Sequence, residues 1–230
     1  MKKINLLVGL FVVALMVSCE KLDNYDNPKE ILTGRVIDQV TGEALDSEQP
    51  NGFRIKLSEI SWSDNPQPEY FWGKADGTFN NTKIFAGTYE ISPVEGAFFE
   101  VEPQKVEIKG EVNVEFKVIP YLTVTASAIK RVDAETLEVT YTISRSKVGD
   151  KIIDARVFVS KNPNVGSNII DNDLSPMRNL KEVADGEVLN MTFKETIKGL
   201  ESGKKYYVRV GARTDNASKR YNFTKVTEVD

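Results

Sequence analysis

The residue types on which most enzymes depend are scarce in this chain. It has no histidine and a single cysteine, Cys19. These counts exclude a histidine-based catalytic triad, a histidine metal ligand, a cysteine-rich zinc site and an internal disulfide. Carboxylates are plentiful, with 34 Asp and Glu, so residue type alone leaves a glycosidase pair open. Such a pair needs a cleft that fixes the separation of its two carboxylates, and we interpret the acidic residues as solvated surface. We therefore expect a non-enzyme with no catalytic residue, no metal site and no cofactor.

Aromatic residues offer the best candidate for ligand binding. Both tryptophans fall within residues 61–72, where a centre rich in Asp, Asn and Pro predicts a hairpin loop. The preceding strand turns three apolar side chains toward the core: Phe53, Ile55 and Leu57. Trp62 has the opposite parity and is expected to face outward. If Trp62 pairs with Tyr70, then Trp72 falls opposite Ile60, and the outward face carries an aromatic platform of Trp62, Tyr70 and Trp72 on which sugar rings can stack. The alternative is that these rings pack on a second domain or fill the core through a bulge.

Length and charge narrow the class of protein further. The 230 residues are enough for one large or two small domains, and a hydrophobic content of 40% excludes wholesale disorder. The net charge is −4, from 30 Lys and Arg against 34 Asp and Glu, and removing Lys2 and Lys3 with a leader makes it −6 (28 minus 34). An acidic chain is a poor partner for the phosphate backbone, so we expect no nucleic acid.

The N-terminal residues carry the pattern of an export signal. Two lysines precede an apolar run over residues 6–17. As a helix, this run would rise about 18 Å, which is too short for a hydrocarbon core of about 30 Å. Small residues then lead directly to Cys19, a pattern that resembles a bacterial lipobox. We predict a lipoprotein signal peptide over residues 1–18, a lipid on Cys19 that anchors the chain to the outer membrane, and a polar tether over residues 19–30. The alternative is an ordinary cleaved leader with an incidental cysteine.

Acidic residues follow the cysteine closely. Glu20, Asp23 and Asp26 resemble the export signal of surface lipoproteins in Bacteroidetes. This resemblance favours the cell surface over the periplasmic leaflet.

From Ile31 onward the apolar residues recur with a period of two. One such run contains Val112, Val114, Phe116 and Val118, and another contains Leu137, Val139, Tyr141 and Ile143. Short strands separated by frequent turn signals are typical of an all-β sandwich or barrel. Pro120 interrupts the pattern, because proline cannot donate to a sheet ladder. We predict two tandem antiparallel β-sandwich domains, residues 31–120 and residues 121–230. A short helix is expected after Ser175-Pro176, carrying Met177, Leu180 and Ala184.

Three segments of the first domain carry separate motifs of one known fold: Gly34-Arg35-Val36-Ile37-Asp38, Asp76-Gly77-Thr78-Phe79 and Gly87-Thr88-Tyr89-Glu90-Ile91. In these segments the domain resembles the carboxypeptidase-regulatory, transthyretin-like sandwich. Gly42 and Gly77 are expected to take positive φ in turns whose backbone is capped by Asp38 and Asp76.

In the second domain, residues 200–206 (LESGKKY) resemble the start of the penultimate strand of fibronectin type III. The resemblance implies a tyrosine corner, in which the hydroxyl of Tyr206 bonds back to the preceding turn.

Together with residues 80–89 and the junction at residues 118–122, the two domains resemble a family of two-domain Bacteroidetes lipoproteins of unknown function. The resemblance covers essentially the whole mature chain. Such proteins are typically encoded beside the paired outer-membrane transporter and glycan-binding lipoprotein of starch-utilisation-type systems. The resemblance implies a cell-surface, non-enzymatic lipoprotein that binds a polysaccharide or oligosaccharide, or that assists a transporter complex in its use. The alternative is a structural module that assembles an outer-membrane or adhesive complex through its sheet edges.

Overall fold

The computed structural model describes residues 26–230, which form two β-sandwich domains. The first domain has seven strands: β1 (Glu30–Asp38), β2 (Arg54–Glu59), β3 (Glu69–Trp72), β4 (Thr78–Ile84), β5 (Gly87–Val94), β6 (Gln104–Ile108) and β7 (Glu111–Val118). They form one sheet in the order β4-β1-β7 and a second in the order β3-β2-β5-β6. The inward faces bury a core that includes Leu32, Val36, Ile55, Ile91 and Phe116. The all-β, two-sandwich fold class predicted from the alternating pattern is confirmed.

One strand pair departs from the predicted antiparallel arrangement. β1 runs parallel to β7, from the pair Ile31–Glu111 to the pair Asp38–Val118, while the other pairs of this domain are antiparallel. Parallel neighbours need a long connection between them, and here that connection contains the other five strands. The chain therefore enters the first domain at one end of the strands, where β1 begins, and leaves it at the opposite end, where β7 finishes.

The turns of the first domain follow their sequence signals. Gly42 has a φ of 75° and Gly77 a φ of 77°. A carboxylate oxygen of Asp38 accepts the Val40 N–H at 2.7 Å, and one of Asp76 accepts the Thr78 N–H at 3.0 Å. Both glycines and both capping carboxylates are thus confirmed in the predicted roles.

The second domain has eight strands and one short helix: β8 (Thr123–Arg131), β9 (Thr136–Ser144), β10 (Ile152–Ser160), β11 (Met177–Asn179), α1 (Asp185–Val188), β12 (Thr192–Lys198), β13 (Tyr206–Thr214), β14 (Asn222–Phe223) and β15 (Thr227–Val229). One sheet has the order β12-β9-β8. The other has the order β11-β10-β13-β14, with β15 also paired to β13. Between the two sheets lies a core that includes Leu137, Val139, Val157, Val208 and Val210.

The tyrosine corner is present, whereas the helix predicted after Ser175-Pro176 is not. The buried Tyr206 accepts the Glu201 N–H at its hydroxyl oxygen, with a distance of 3.0 Å. Met177, expected to be helical, instead belongs to β11, which pairs with β10. The outer side of β10 offers backbone partners to this segment, and a ladder satisfies more of its polar groups than an isolated helical turn.

Buried polar side chains join the domains, among them Asn222 and Arg209. Asn222 of β14 accepts the Leu122 N–H at 3.0 Å through Oδ1 and donates to the Ala97 carbonyl at 2.8 Å through Nδ2. Arg209 of β13 donates to the Ser47 carbonyl at 2.7 Å. Since buried polar groups are costly when unpaired, these bonds favour one relative placement of the two domains.

Burial has an electrostatic consequence at Arg209. Its guanidinium lies 3.8 Å from the centre of the Phe223 ring, and desolvation lowers its pKa to about 10. The nearby carboxylates of Asp46 and Glu48 oppose this shift in part. Glu48 also bonds across the domain boundary, because its carboxylate accepts the Ser167 N–H at 2.7 Å.

Candidate ligand-binding site

Two of the three predicted platform residues lie side by side on the first domain. Tyr70 and Trp72 project from the outer face of β3, with 44% and 39% of each residue exposed. Phe71, between them, points inward and meets the Phe79 ring at a centroid distance of 6.1 Å. The predicted parity of the hairpin is therefore confirmed. We refer to Tyr70 and Trp72 as the aromatic pair.

The predicted register of this hairpin is wrong. Trp72 pairs with Arg54 instead of Ile60, and Tyr70 pairs with Lys56 instead of Trp62. The offset is six residues (60 minus 54), and an even offset keeps every side chain on its predicted face. The ladder breaks off because Pro66 and Pro68 have no N–H to donate, so residues 60–68 form a longer loop than expected.

Trp62 consequently lies apart from the aromatic pair. It belongs to the loop that follows β2 and has 84% of its surface exposed. Trp72 is level with Arg54, the first residue of β2. Five strand steps, about 17 Å, separate Arg54 from the end of β2. A single platform of three rings is therefore not formed.

Arginine side chains hold the aromatic pair on two sides. The Arg54 guanidinium lies 4.4 Å from the centre of the Tyr70 ring and 5.8 Å from that of Trp72. Arg54 also forms an ion pair with Glu95, and this hydrogen bond raises the pKa of the guanidinium. Arg220, from the second domain, lies 5.9 Å from the Trp72 ring centre. Cation–π contacts of this kind favour the observed positions of the two rings.

A cleft between the domains adjoins the aromatic pair. This interdomain cleft has a volume of about 790 Å³, which lies in the range of small-molecule sites. Its polar lining residues are Lys56, Ser92, Glu95, Glu100, Glu102, Asn216, Ser218 and Arg220. Its apolar walls include Pro93, Val94, Phe98 and Tyr121. Glu95 and Arg220 connect the cleft to the aromatic pair, because each contacts Arg54 or Trp72.

A polar group of the cleft has unused hydrogen-bonding capacity, and a neighbouring residue has a strained backbone. The buried Nε of Arg220 has no hydrogen-bond partner among residues 26–230. Glu95 adopts a φ of 59°, a left-handed conformation that costs energy in a residue other than glycine. Strain and unmet polar groups concentrate at functional sites. The arrangement of flat rings, carboxylates, amide and guanidinium is suited to a neutral, hydroxyl-rich ligand.

Sequence reasoning found the rings but missed the charged residues around them. Arg54 and Lys56 share the outward face with the aromatic pair by parity, so a correct register would have found them. Arg220 comes from the second domain, and no local sequence pattern predicts that it lies near Trp72. Cys19, the predicted lipid site, lies outside the described residues.

Neither a cluster of metal ligands nor a membrane-spanning helix is found in residues 26–230. In that range no group of three or more His, Cys, Asp and Glu is arranged to hold a metal ion. No helix in the same range has the length and hydropathy of a membrane span.

Comparisons with known proteins agree with the two-domain architecture. A family model for the N-terminal domain of a protein of unknown function, DUF3823, matches residues 30–119, and the DUF3823_C domain of unknown function matches residues 122–228. Among curated proteins, none matches the chain.

Several solved structures share the fold over most of the chain. A DUF3823 family protein from Bacteroides uniformis is 27% identical, with a TM-score of 0.78, and the match covers 88% of this chain and 99% of that one. A second B. uniformis protein, described as a candidate carbohydrate-binding protein, is 22% identical with a TM-score of 0.72 over 88% of this chain and 99% of that one. A DUF3823 family protein from Parabacteroides merdae is 20% identical with a TM-score of 0.71 over 89% of this chain and all of that one. This chain belongs to the DUF3823 family and contains both of its domains.

Proposed function

We propose that this chain is a non-enzymatic glycan-binding or accessory lipoprotein of the cell surface that serves a polysaccharide-utilisation system. The observation that carries the proposal is the position of the aromatic pair beside the polar interdomain cleft, to which Glu95 and Arg220 connect it. Flat aromatic rings offer an apolar face to a sugar ring, and the cleft offers hydrogen-bond partners to its hydroxyl groups.

The site is pre-organised for this task. Arg54 and Arg220 fix the rings, and the bonds of Asn222 and Arg209 join the two domains that form the cleft walls. A ligand therefore binds without ordering the site first, which reduces the entropic cost of association. The similarity to the B. uniformis protein described as a candidate carbohydrate-binding protein supports the same ligand class.

Affinity electrophoresis against a panel of polysaccharides tests the proposal. At least one polysaccharide should retard the wild-type chain, and Trp72→Leu should reduce the retardation. Leucine keeps much of the apolar contact that the half-buried Trp72 makes but removes the flat ring.

Trp62→Leu is the matched control, because it makes the same replacement far from the cleft and should leave the retardation unchanged. Equal retardation of Trp72→Leu and wild type would contradict the assignment of the site. If no polysaccharide retards the wild type, the proposal fails, and the alternative of a structural assembly module is favoured.

Anchoring requires its own test. We propose that Cys19 carries the lipid and holds the chain at the outer membrane, near a transporter complex. Acyl burial contributes about 0.8 kcal/mol per CH₂, so Cys19→Ala should move the chain from the membrane fraction to the soluble fraction. Unchanged membrane association of this variant would refute the lipid assignment.

A further inference from the structure

The first domain has two ends of different character. At one end the second domain is joined, through contacts with residues such as Ser47 and Ala97. At the other end lies Glu30, the first residue of β1, which pairs with Ile84 at the end of β4 and accepts the Gly110 N–H. We call this second end the tether end, because the N-terminal residues leave the domain there. The eight strand steps of β1 place the two ends about 27 Å apart.

Two large apolar side chains are exposed at the tether end. Trp62 is 84% exposed and Phe85 is 48% exposed. The loop that carries Trp62 lies against the start of β5, because the Ile60 N–H donates to the Thr88 carbonyl and the Thr88 N–H donates to Ser61 Oγ, both at 2.8 Å.

Phe85 belongs to the turn between β4 and β5, and its carbonyl accepts the Tyr89 hydroxyl at 3.0 Å. Both rings therefore project from the same end of the sandwich, at the opposite end from the aromatic pair.

The position of Cys19 in the sequence indicates what this end faces. Cys19 precedes Glu30 by eleven residues, and eleven residues span at most roughly 36–40 Å when fully extended. A lipid on Cys19 thus attaches the folded body to the membrane through the tether end, which is the part of the body that the anchor reaches with the shortest span of chain. Exposed tryptophan is costly in water and favourable at a membrane–water interface, where its ring is half apolar and its N–H finds polar partners.

We propose that the tether end is a bilayer-contact surface, at which Trp62 and Phe85 insert into the headgroup region of the membrane that anchors the chain. The inference rests on the anchoring of Cys19 in the proposed function and is independent of glycan binding. Charges at this end are mixed, with exposed Lys83 and Lys109 beside exposed Asp64 and Glu111. The contact is therefore aromatic in origin, and anionic lipid is not required for it.

The composition of the chain makes the test direct. Cys19 is its only cysteine, and Trp62 and Trp72 are its only tryptophans. The mature chain, from Cys19, contains every described strand, and its thiol can be coupled to a maleimide-bearing lipid in phosphatidylcholine vesicles. Trp72→Phe then leaves Trp62 as the sole reporter, and Trp62→Phe leaves Trp72.

Vesicles containing doxyl-labelled phosphatidylcholine should quench the two reporters differently. Trp62 emission should fall by roughly half and shift to shorter wavelength, because an interfacial ring lies within reach of the label. Trp72 emission should remain unchanged. Phe85→Ser should weaken the quenching of Trp62, whereas Val148→Ser, at an exposed position of the second domain, should not.

The possible failures are distinguishable. Because coupling supplies the anchor, an unquenched Trp62 overturns the bilayer-contact surface whatever the outcome of Cys19→Ala. Equal quenching of Trp62 and Trp72 would also overturn it, since the chain would then lie flat on the membrane. Loss of glycan retardation in electrophoresis bears on the interdomain cleft alone.

Discussion

Replacing Asn222 with aspartate tests whether a buried amide locks the second domain against the first. The wild-type side chain is 4% exposed and bonds to Leu122 and Ala97 from its two terminal atoms. Asn222→Asp preserves the shape and the bond from the Leu122 N–H. It replaces the donor that faces the Ala97 carbonyl by a carboxylate oxygen, so two acceptors meet where a 2.8 Å hydrogen bond stood.

The expected loss follows from these two changes. Leaving a buried acceptor without its donor costs about 1–3 kcal/mol, and burying the new charge adds several kcal/mol. We expect Asn222→Asp to lower the free energy of unfolding by about 3–5 kcal/mol at pH 7.

The loss should depend on pH. The neutral acid regains an O–H donor, so the folded-state pKa of the introduced carboxyl lies above its unfolded value of about 3.9. For a raised folded pKa, the stabilisation is present below the unfolded value and is lost as pH rises through the folded one. The variant should therefore approach wild-type stability near pH 4 and fall behind as the pH rises to about 7.

Urea unfolding followed by circular dichroism at both pH values measures the effect. Asn113→Asp is the control, because the exposed Asn113 amide donates to Thr33 Oγ1 at 2.9 Å and its change should stay within about 0.5 kcal/mol. An unchanged stability of Asn222→Asp at pH 7, or the same loss at pH 4 and pH 7, would refute the buried joint.

Three further predictions concern other parts of the molecule. Tyr206→Phe should cost about 1 kcal/mol in urea unfolding because it removes the corner hydrogen bond, whereas Tyr207→Phe should cost less; equal effects would contradict the corner. At Asp185, burial raises the pKa, but hydrogen bonds from Lys151 and Arg145 outweigh it and the net pKa is lowered. Asp185→Asn should therefore destabilise the chain at pH 7, and its difference from wild type should shrink as the pH falls below about 4; a difference independent of pH would exclude this ionic role. Glycan retardation should stay nearly constant between about pH 6 and pH 8, since the chain lacks histidine; a steep transition there would point to a strongly shifted carboxylate.

Local patterns predicted the fold well because a strand's faces are set by a period of two. The inward Phe71 and the outward Tyr70 and Trp72 followed from parity alone, and parity survived even a register error of six residues. The Tyr206 corner was also predictable, since the hydroxyl and the N–H it bonds lie five residues apart.

Features that depend on distant segments escaped prediction. The loop that follows β2 is bonded to Thr88 of β5 through the Ile60 N–H and the Ser61 hydroxyl, and the second of these bonds joins residues 27 positions apart. Arg220 reaches the Trp72 ring only because the second domain is joined to the first. The parallel pairing of β1 with β7 likewise joins segments about 80 residues apart, a separation over which hydrophobic periodicity carries no information.

The parallel pairing of β1 and β7 also determines how the first domain bears mechanical load. Tension between the N-terminus and the second domain pulls β1 from Glu30 and β7 from Val118, which lie at opposite ends of adjacent strands. The force then runs along the strands, and the hydrogen bonds of the whole ladder resist it together in shear. A hairpin pulled from its open end would instead unzip one bond at a time. The first domain thus resists tension between its two ends through the whole β1–β7 ladder at once.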